Sequence, residues 1–284
     1  MKDRIESGPE NSSRSPVWIF LVLVFTLSWP FLICGFGWFA SGEGILKRYI
    51  LSCTGMLMVA LSALITRAFI ERRGFRDVGW NLGHPKWYLA VLLFCCLMWL
   101  GPPLAALPLG QAEWNQNLGR DELIVVILSL AGFSVLAGFG EEFGWRGYLL
   151  PRLLSDRRYA RGTLLIIGLI WGIWHCAIAV GPLLKAGLEG APGWLSMLRP
   201  ALVSCVQMVG SSIALSLIFG AVWLRSKSIF LCSFLHGYWI GIRDAASQLL
   251  SYSSAFRLIT LMVVLAAWLI AYRWLEEYER ETGL

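Results

Sequence analysis

Residues 122–150 read ELIVVILSLAGFSVLAGFGEEFGWRGYLL, from Glu122 to Leu150. A helix needs roughly 20 mostly apolar residues to cross the hydrocarbon core of a bilayer, and this run is long and apolar enough to do so. Yet it carries Glu141, Glu142 and Arg146 inside it. Ionisable groups at membrane depth are costly and mark function by default. Outward from this stretch, seven more runs of similar character follow one another between charged or turn residues: Val17–Phe39, Ile45–Thr66, Trp87–Leu109, Gly162–Val180, Ala201–Trp223, Ser228–Leu250 and Phe256–Tyr272. The expected fold class is all-α: a polytopic membrane helical bundle of about eight transmembrane helices. Its parts are a polar cytoplasmic N-terminal tail at 1–16, a single transmembrane helical domain at 17–275, and a charged C-terminal tail at 276–284.

Composition agrees. Of 284 residues, 57% are hydrophobic and only 15% charged, and the mean hydropathy is +0.64. A soluble domain carries about a quarter charged residues to keep its surface wet, so an ordinary soluble enzyme is excluded. The net charge of +6 does not point to nucleic acid, because the 24 Lys and Arg are scattered over many short connections. They are better explained by orientation. With the N-terminus inside, 16 of them fall on cytoplasmic segments and 7 on the opposite side, while Arg146 is intramembrane; this asymmetry is expected when both termini are cytoplasmic. The first apolar run has no small-residue cleavage site after it and reads as an uncleaved anchor. Gly74–Lys86 mixes aromatic and charged residues and is expected along the cytoplasmic interface, where His84 makes an interfacial contact. The seven cysteines lack C-x-x-C spacing and read as small buried hydrophobes.

Three spans carry the candidate chemistry. The fourth has Glu141, Glu142 and Arg146, the fifth has Trp171 and His175, and the seventh has His236. At 1.5 Å per residue, His175 lies about 20 Å from the start of its run, His236 about 12 Å from its own, and the glutamates roughly 12 to 15 Å from the end of theirs. One buried site toward the cytoplasmic half is therefore allowed. Glu142 and Arg146 are i and i+4 and stack on one helix face. Glu141 is rotated by about 100° from Glu142, so it is left to face the histidines, which suits a general base taking a proton from water. The two histidines could hold that water, donate to an oxyanion, or complete a Glu141–His175–His236 metal site.

The E-E-x-x-x-R pair within GEEFGWRGYLLPRL (140–153), the aromatic-x-x-x-His of Trp171 and His175, and the further intramembrane His236 together resemble the CPBP family. These are the type II CAAX prenyl proteases and bacteriocin-processing enzymes, also called the Abi family of intramembrane proteases. The resemblance covers about 120–245 and is greatest to prokaryotic members, which implies a bacterial cell membrane. It implies an intramembrane endopeptidase in which Glu141 activates the nucleophilic water, Glu142 and Arg146 are the supporting acid and its cation, His175 shares the water, and His236 stabilises the oxyanion. A divalent metal such as zinc at Glu141, His175 and His236 is compatible with this set but not required by it. The implied partners are the lipid bilayer and a hydrophobic or membrane-tethered peptide substrate, entering from the cytoplasmic leaflet. Two departures stand out: Trp171 replaces the Phe of many members, and Ile240 stands where many have Asn or Asp, with Tyr238 and Asp244 as nearby polar alternatives. The rival readings are a non-catalytic scaffold, as in the related anterior-pharynx-defective subunit of γ-secretase, and a proton-coupled transporter.

Overall fold

The computed structural model describes residues 14–39, 44–155, 159–252 and 254–283; most of the expected N-terminal tail lies outside them. The chain is almost entirely helical. In order it forms α1 (Arg14–Trp38), α2 (Ile45–Ile65, extended by a π turn Thr66–Glu71), α3 (Pro85–Trp99), α4 (Gly101–Ala106), β1 (Ala112–Trp114), α5 (Arg120–Leu130) and α6 (Phe133–Gly144). A second π turn, Trp145–Leu149, carries α6 into α7 (Leu150–Ser155). Then come α8 (Ala160–His175), α9 (Ala177–Leu188), α10 (Leu198–Ser226), α11 (Ile229–Leu249), β2 (Leu250–Tyr252) and α12 (Ser254–Thr282). The two short strands pair antiparallel, with Glu113 opposite Ser251.

Among the described residues, five helical stretches are long and apolar enough to cross a membrane, and a sixth counts if a bent pair is one span. Three of the five match expected runs to within five residues at each end, Ala160–Leu188 continues eight residues past its run, and Trp194–Ser226 begins seven residues before its own. The bent pair is the expected fourth span. Arg120–Leu130 and Phe133–Leu154 meet at 62°, because Gly132 takes a left-handed backbone (φ +85°) that interrupts the helix. The seventh and eighth expected runs form α11 and most of the first two-thirds of α12, which stand outside the apolar set; α11 carries His236, Arg243, Asp244 and Gln248. The count of eight is thus not matched by length and apolarity alone. The charged stretch expected as a tail from 276 is helical to Thr282, and Glu279 there binds Arg161 at 2.7 Å.

The bundle has two ends. At the end where α1 begins, ion pairs join Arg67 to Asp77, Arg152 to Glu71 and Arg161 to Glu279. The far end holds the strand pair and the start of α2. Exposed tryptophans sit toward both ends: Trp18, Trp80, Trp87 and Trp274 at the first, Trp38, Trp114 and Trp194 at the other, as expected of two aromatic belts. Between them α6 lies against α2 and α11. A Cβ on Gly138 would stand 2.9 Å from the backbone nitrogen of Gly237, so only glycine allows α6 and α11 this close. Small residues at crossings are how membrane helices pack tightly, and this crossing sets Glu141 and Glu142 in the middle of the bundle.

Candidate active site

Glu142 is fully buried, and its Oε1 accepts from two groups: Arg146 Nη1 at 2.9 Å within the same rod, and His236 Nδ1 at 2.8 Å from α11. The Arg146 guanidinium lies over the rings of Trp171 (4.9 Å) and Phe219 (5.3 Å), an arrangement that attracts a cation when water is excluded. Its Nε and Nη2, and Glu142 Oε2, find no hydrogen-bond partner among the described residues. Glu142 therefore fixes a charged knot that joins α6 to α11.

Glu141 points elsewhere, as the 100° offset requires. Its Oε2 accepts from the indole Nε1 of Trp171 at 2.5 Å and of Trp145 at 3.2 Å. Its Oε1 stands 4.0 Å from His236 Nε2, beyond hydrogen-bond range. The two indoles hold one carboxylate oxygen and leave the other facing the histidine. His175 reaches the same cavity from the last turn of α8, where α8 gives way to α9. Its Nδ1 is 3.0 Å from the Trp171 carbonyl and 3.4 Å from Ser212 Oγ. A carbonyl only accepts, so Nδ1 carries the proton in that bond and Nε2 is left as the basic nitrogen. The Trp171 ring packs 5.3 Å from His175 and 5.5 Å from His236, so one indole touches both histidines and bonds the glutamate.

These groups line a cavity of about 430 Å³. Glu141, His175 and His236 are on its wall together with Trp171, Trp174 and Phe219, and the lining continues to Arg48, Arg243, Asp244, Ser247 and Gln248 at the far end of the bundle. The sequence expectation put the site in the half toward the N-terminal end, with access there; the cavity runs the other way. The break at Gly132 is the reason. It shortens the rod, so that α6 begins at Phe133 and Glu141 lies only about 12 Å from that far-end start. Toward the N-terminal end, Trp145, Arg146, Tyr148, Leu149 and Leu150 are all fully buried.

The structure brings all five expected site residues to one place, Glu142 and Arg146 as the buried pair and the other three on the cavity wall. Ile240 and Asp244 line the cavity too, whereas Tyr238 packs on Phe234 with ring centroids 4.5 Å apart. Two features were missed in the sequence. Trp145 follows Glu141 by four residues and so shares its helix face, a signal that was available. The bond from His236 to Glu142 crosses between helices and leaves no spacing to read. Among the described residues, no group of three His, Cys, Asp or Glu side chains is arranged to hold a metal ion. The trio Glu141, His175 and His236 is thus not arranged as a metal centre, although each histidine engages Nδ1 and keeps Nε2, the nitrogen a metal would take, free of that bond.

A bundle of apolar helices that closes two glutamates, an arginine and two histidines around an internal cavity defines a membrane-embedded protein with a hydrolase-like polar centre. Residues 123–242 match the family described as type II CAAX prenyl endopeptidase Rce1-like. This match contains all five site residues and supports membership of the CPBP family, as the motif resemblance implied; it indicates a protease acting within the membrane on a membrane-associated substrate. No curated protein matches the chain.

Proposed function

We propose that the protein is an intramembrane endopeptidase that uses Glu141 as general base. The observation that carries this reading is the split between the two adjacent carboxylates: Glu142 is tied to Arg146 and His236, while Glu141 offers Oε1 to a cavity shared with both histidines. A water between Glu141 Oε1 and His175 Nε2 gives one proton to the carboxylate, and its oxygen adds to the scissile carbonyl carbon. The resulting oxyanion faces His236. With Nδ1 donating to Glu142, His236 donates to the oxyanion from Nε2 when the ring carries both protons. Collapse of the tetrahedral adduct breaks the C–N bond, the departing amine takes the proton from Glu141, and the carboxylate is restored. Substrates are hydrophobic or membrane-tethered peptides.

One observation favours the scaffold reading: Ile240 lines the cavity without a donor, and Asp244, the polar neighbour that also lines it, is held by Arg243 at 2.8 Å. Removing an oxyanion donor costs on the order of a hundredfold or more in turnover. His236 is then the remaining donor. A peptide-release assay on wild type, His236→Ala and Ile240→Asn separates the readings. The enzyme reading predicts cleavage by wild type, near-complete loss with His236→Ala, and equal or faster cleavage with Ile240→Asn. No cleavage by any of the three supports the scaffold, and full activity in His236→Ala overturns the role of that histidine.

A further inference from the structure

The catalytic cavity and the charge asymmetry of the chain have opposite polarity. The cavity leads from Glu141 and His236 past Tyr49 and Arg48 in the first turn of α2, and past Arg243, Asp244, Ser247 and Gln248 in the last turns of α11. Both segments belong to the far end, beside the strand pair, where Asn115 donates to the Gln248 carbonyl at 3.0 Å. In the other direction the rod from Trp145 to Leu150 is buried throughout. Beyond it, Tyr148 and Arg152 bind Glu71, and Arg67 and Arg152 bind Asp77. That knot ties α2, the 74–78 segment and α7 together across the N-terminal end.

Basic residues divide the other way. Of the Lys and Arg among the described residues, 12 lie in or beside the connections at the N-terminal end and 7 at the far end, with Arg146 in the bundle interior. Lys and Arg near span ends set orientation, with the richer side cytoplasmic. The direction of each helix is now given by the fold, so this assignment does not depend on whether the spans number six or eight. The exposed Trp38, Trp114 and Trp194 mark the far-end belt, the level to which the cavity lining extends.

We propose that the cavity receives its peptide from the extracytoplasmic side of the membrane. This rests on the endopeptidase reading and narrows it: the substrate is a hydrophobic or lipid-tethered peptide whose scissile bond sits in the outer half of the bilayer or arrives from outside. Enzymes that trim C-terminal segments made and anchored on the cytoplasmic leaflet would need the reverse orientation.

The test reads orientation without needing turnover. Ser247→Cys places a thiol at the cavity mouth, on an exposed position of α11. Gly74→Cys places one at the N-terminal end, where a Cβ meets nothing within 4 Å. In bacterial spheroplasts, a membrane-impermeant maleimide should label the Ser247→Cys protein above the wild-type background. The Gly74→Cys protein should label only after the membrane is permeabilised. As a second readout that leaves the bundle untouched, a C-terminal fluorescent fusion that folds only in the cytoplasm should fluoresce, whereas a C-terminal alkaline phosphatase, active only outside, should be silent. Labelling of Gly74→Cys in sealed spheroplasts, or phosphatase activity without fluorescence, overturns the proposal. Adding Glu141→Gln to the Ser247→Cys protein should leave its labelling unchanged, so a failed orientation and a failed protease are seen separately.

Discussion

Glu142 holds two partners with one oxygen, and removing its charge strands both. Glu142→Gln leaves the buried Arg146 without its counter-ion and weakens the tie to His236 at 2.8 Å; breaking a fully buried pair from one side typically costs about 3 to 5 kcal/mol. Glu141→Gln keeps an oxygen for the two indole donors and leaves the Arg146 pair intact. In detergent, the thermal midpoint of Glu142→Gln should fall well below wild type while Glu141→Gln stays near it; equal midpoints contradict the division of labour. At this scale the pairing of Glu142 with Arg146 was legible, because i and i+4 spacing on a helix is encoded along the chain. The contact of His236 with Glu142 was not, because it depends on how α6 and α11 cross. Trp171 was legible only as an aromatic position; that its N–H would bond Glu141 at 2.5 Å depends on the approach of α8.

Helix crossings turn these residues into one site, and α6 against α11 is the tightest of them near the chemistry. A Cβ on Gly237 would stand 2.3 Å from Val135 Cα, backbone that cannot swing aside. Gly237→Ala should therefore push α11 off α6 and carry the neighbouring His236 away from Glu142, with an overpacking cost of about 1 to 3 kcal/mol. Gly210→Ala on α10, where a Cβ meets nothing within 4 Å, is the control. A lower thermal midpoint together with lost cleavage in the first, and neither in the second, is the expected outcome; normal cleavage by Gly237→Ala contradicts it. Element existence was largely readable, since long apolar runs leave few alternatives to transmembrane helices. The break at Gly132 was not: a lone glycine in an apolar run is usually tolerated within a helix, and what selects the left-handed turn here is the packing of Phe133–Gly144 between α2 and α11. Missing that break reversed the expected depth of the site.

Across the described residues, Lys and Arg are more numerous at the N-terminal end than at the end to which the cavity lining extends. The knot at the N-terminal end includes Asp77; burial raises its pKa, but the hydrogen bond and charge of Arg67 outweigh this and hold it below the usual carboxylate range. A carboxylate with a depressed folded-state pKa contributes stability above its unfolded-state pKa, roughly 4, and loses it as pH falls through the folded-state value. The midpoint difference between wild type and Asp77→Asn should be present at neutral pH and vanish on acidification below that range; it should be small, since Asp77 is about half exposed and such pairs are screened. A difference that grows on acidification contradicts this assignment. Class and family were readable at this scale from composition and one motif, whereas the direction of the cavity needed coordinates, because it depends on which helix ends converge. The central claim is that Glu141 activates water to cut a peptide bond inside the membrane. The most direct test is intact-mass analysis of a hydrophobic membrane peptide incubated in 18O-labelled water with wild type and with Glu141→Gln. The account predicts two fragments with wild type, the new carboxylate carrying one 18O, and uncut peptide with a normally folded Glu141→Gln protein. Equal cleavage by the two proteins, or fragments without the label, contradicts it.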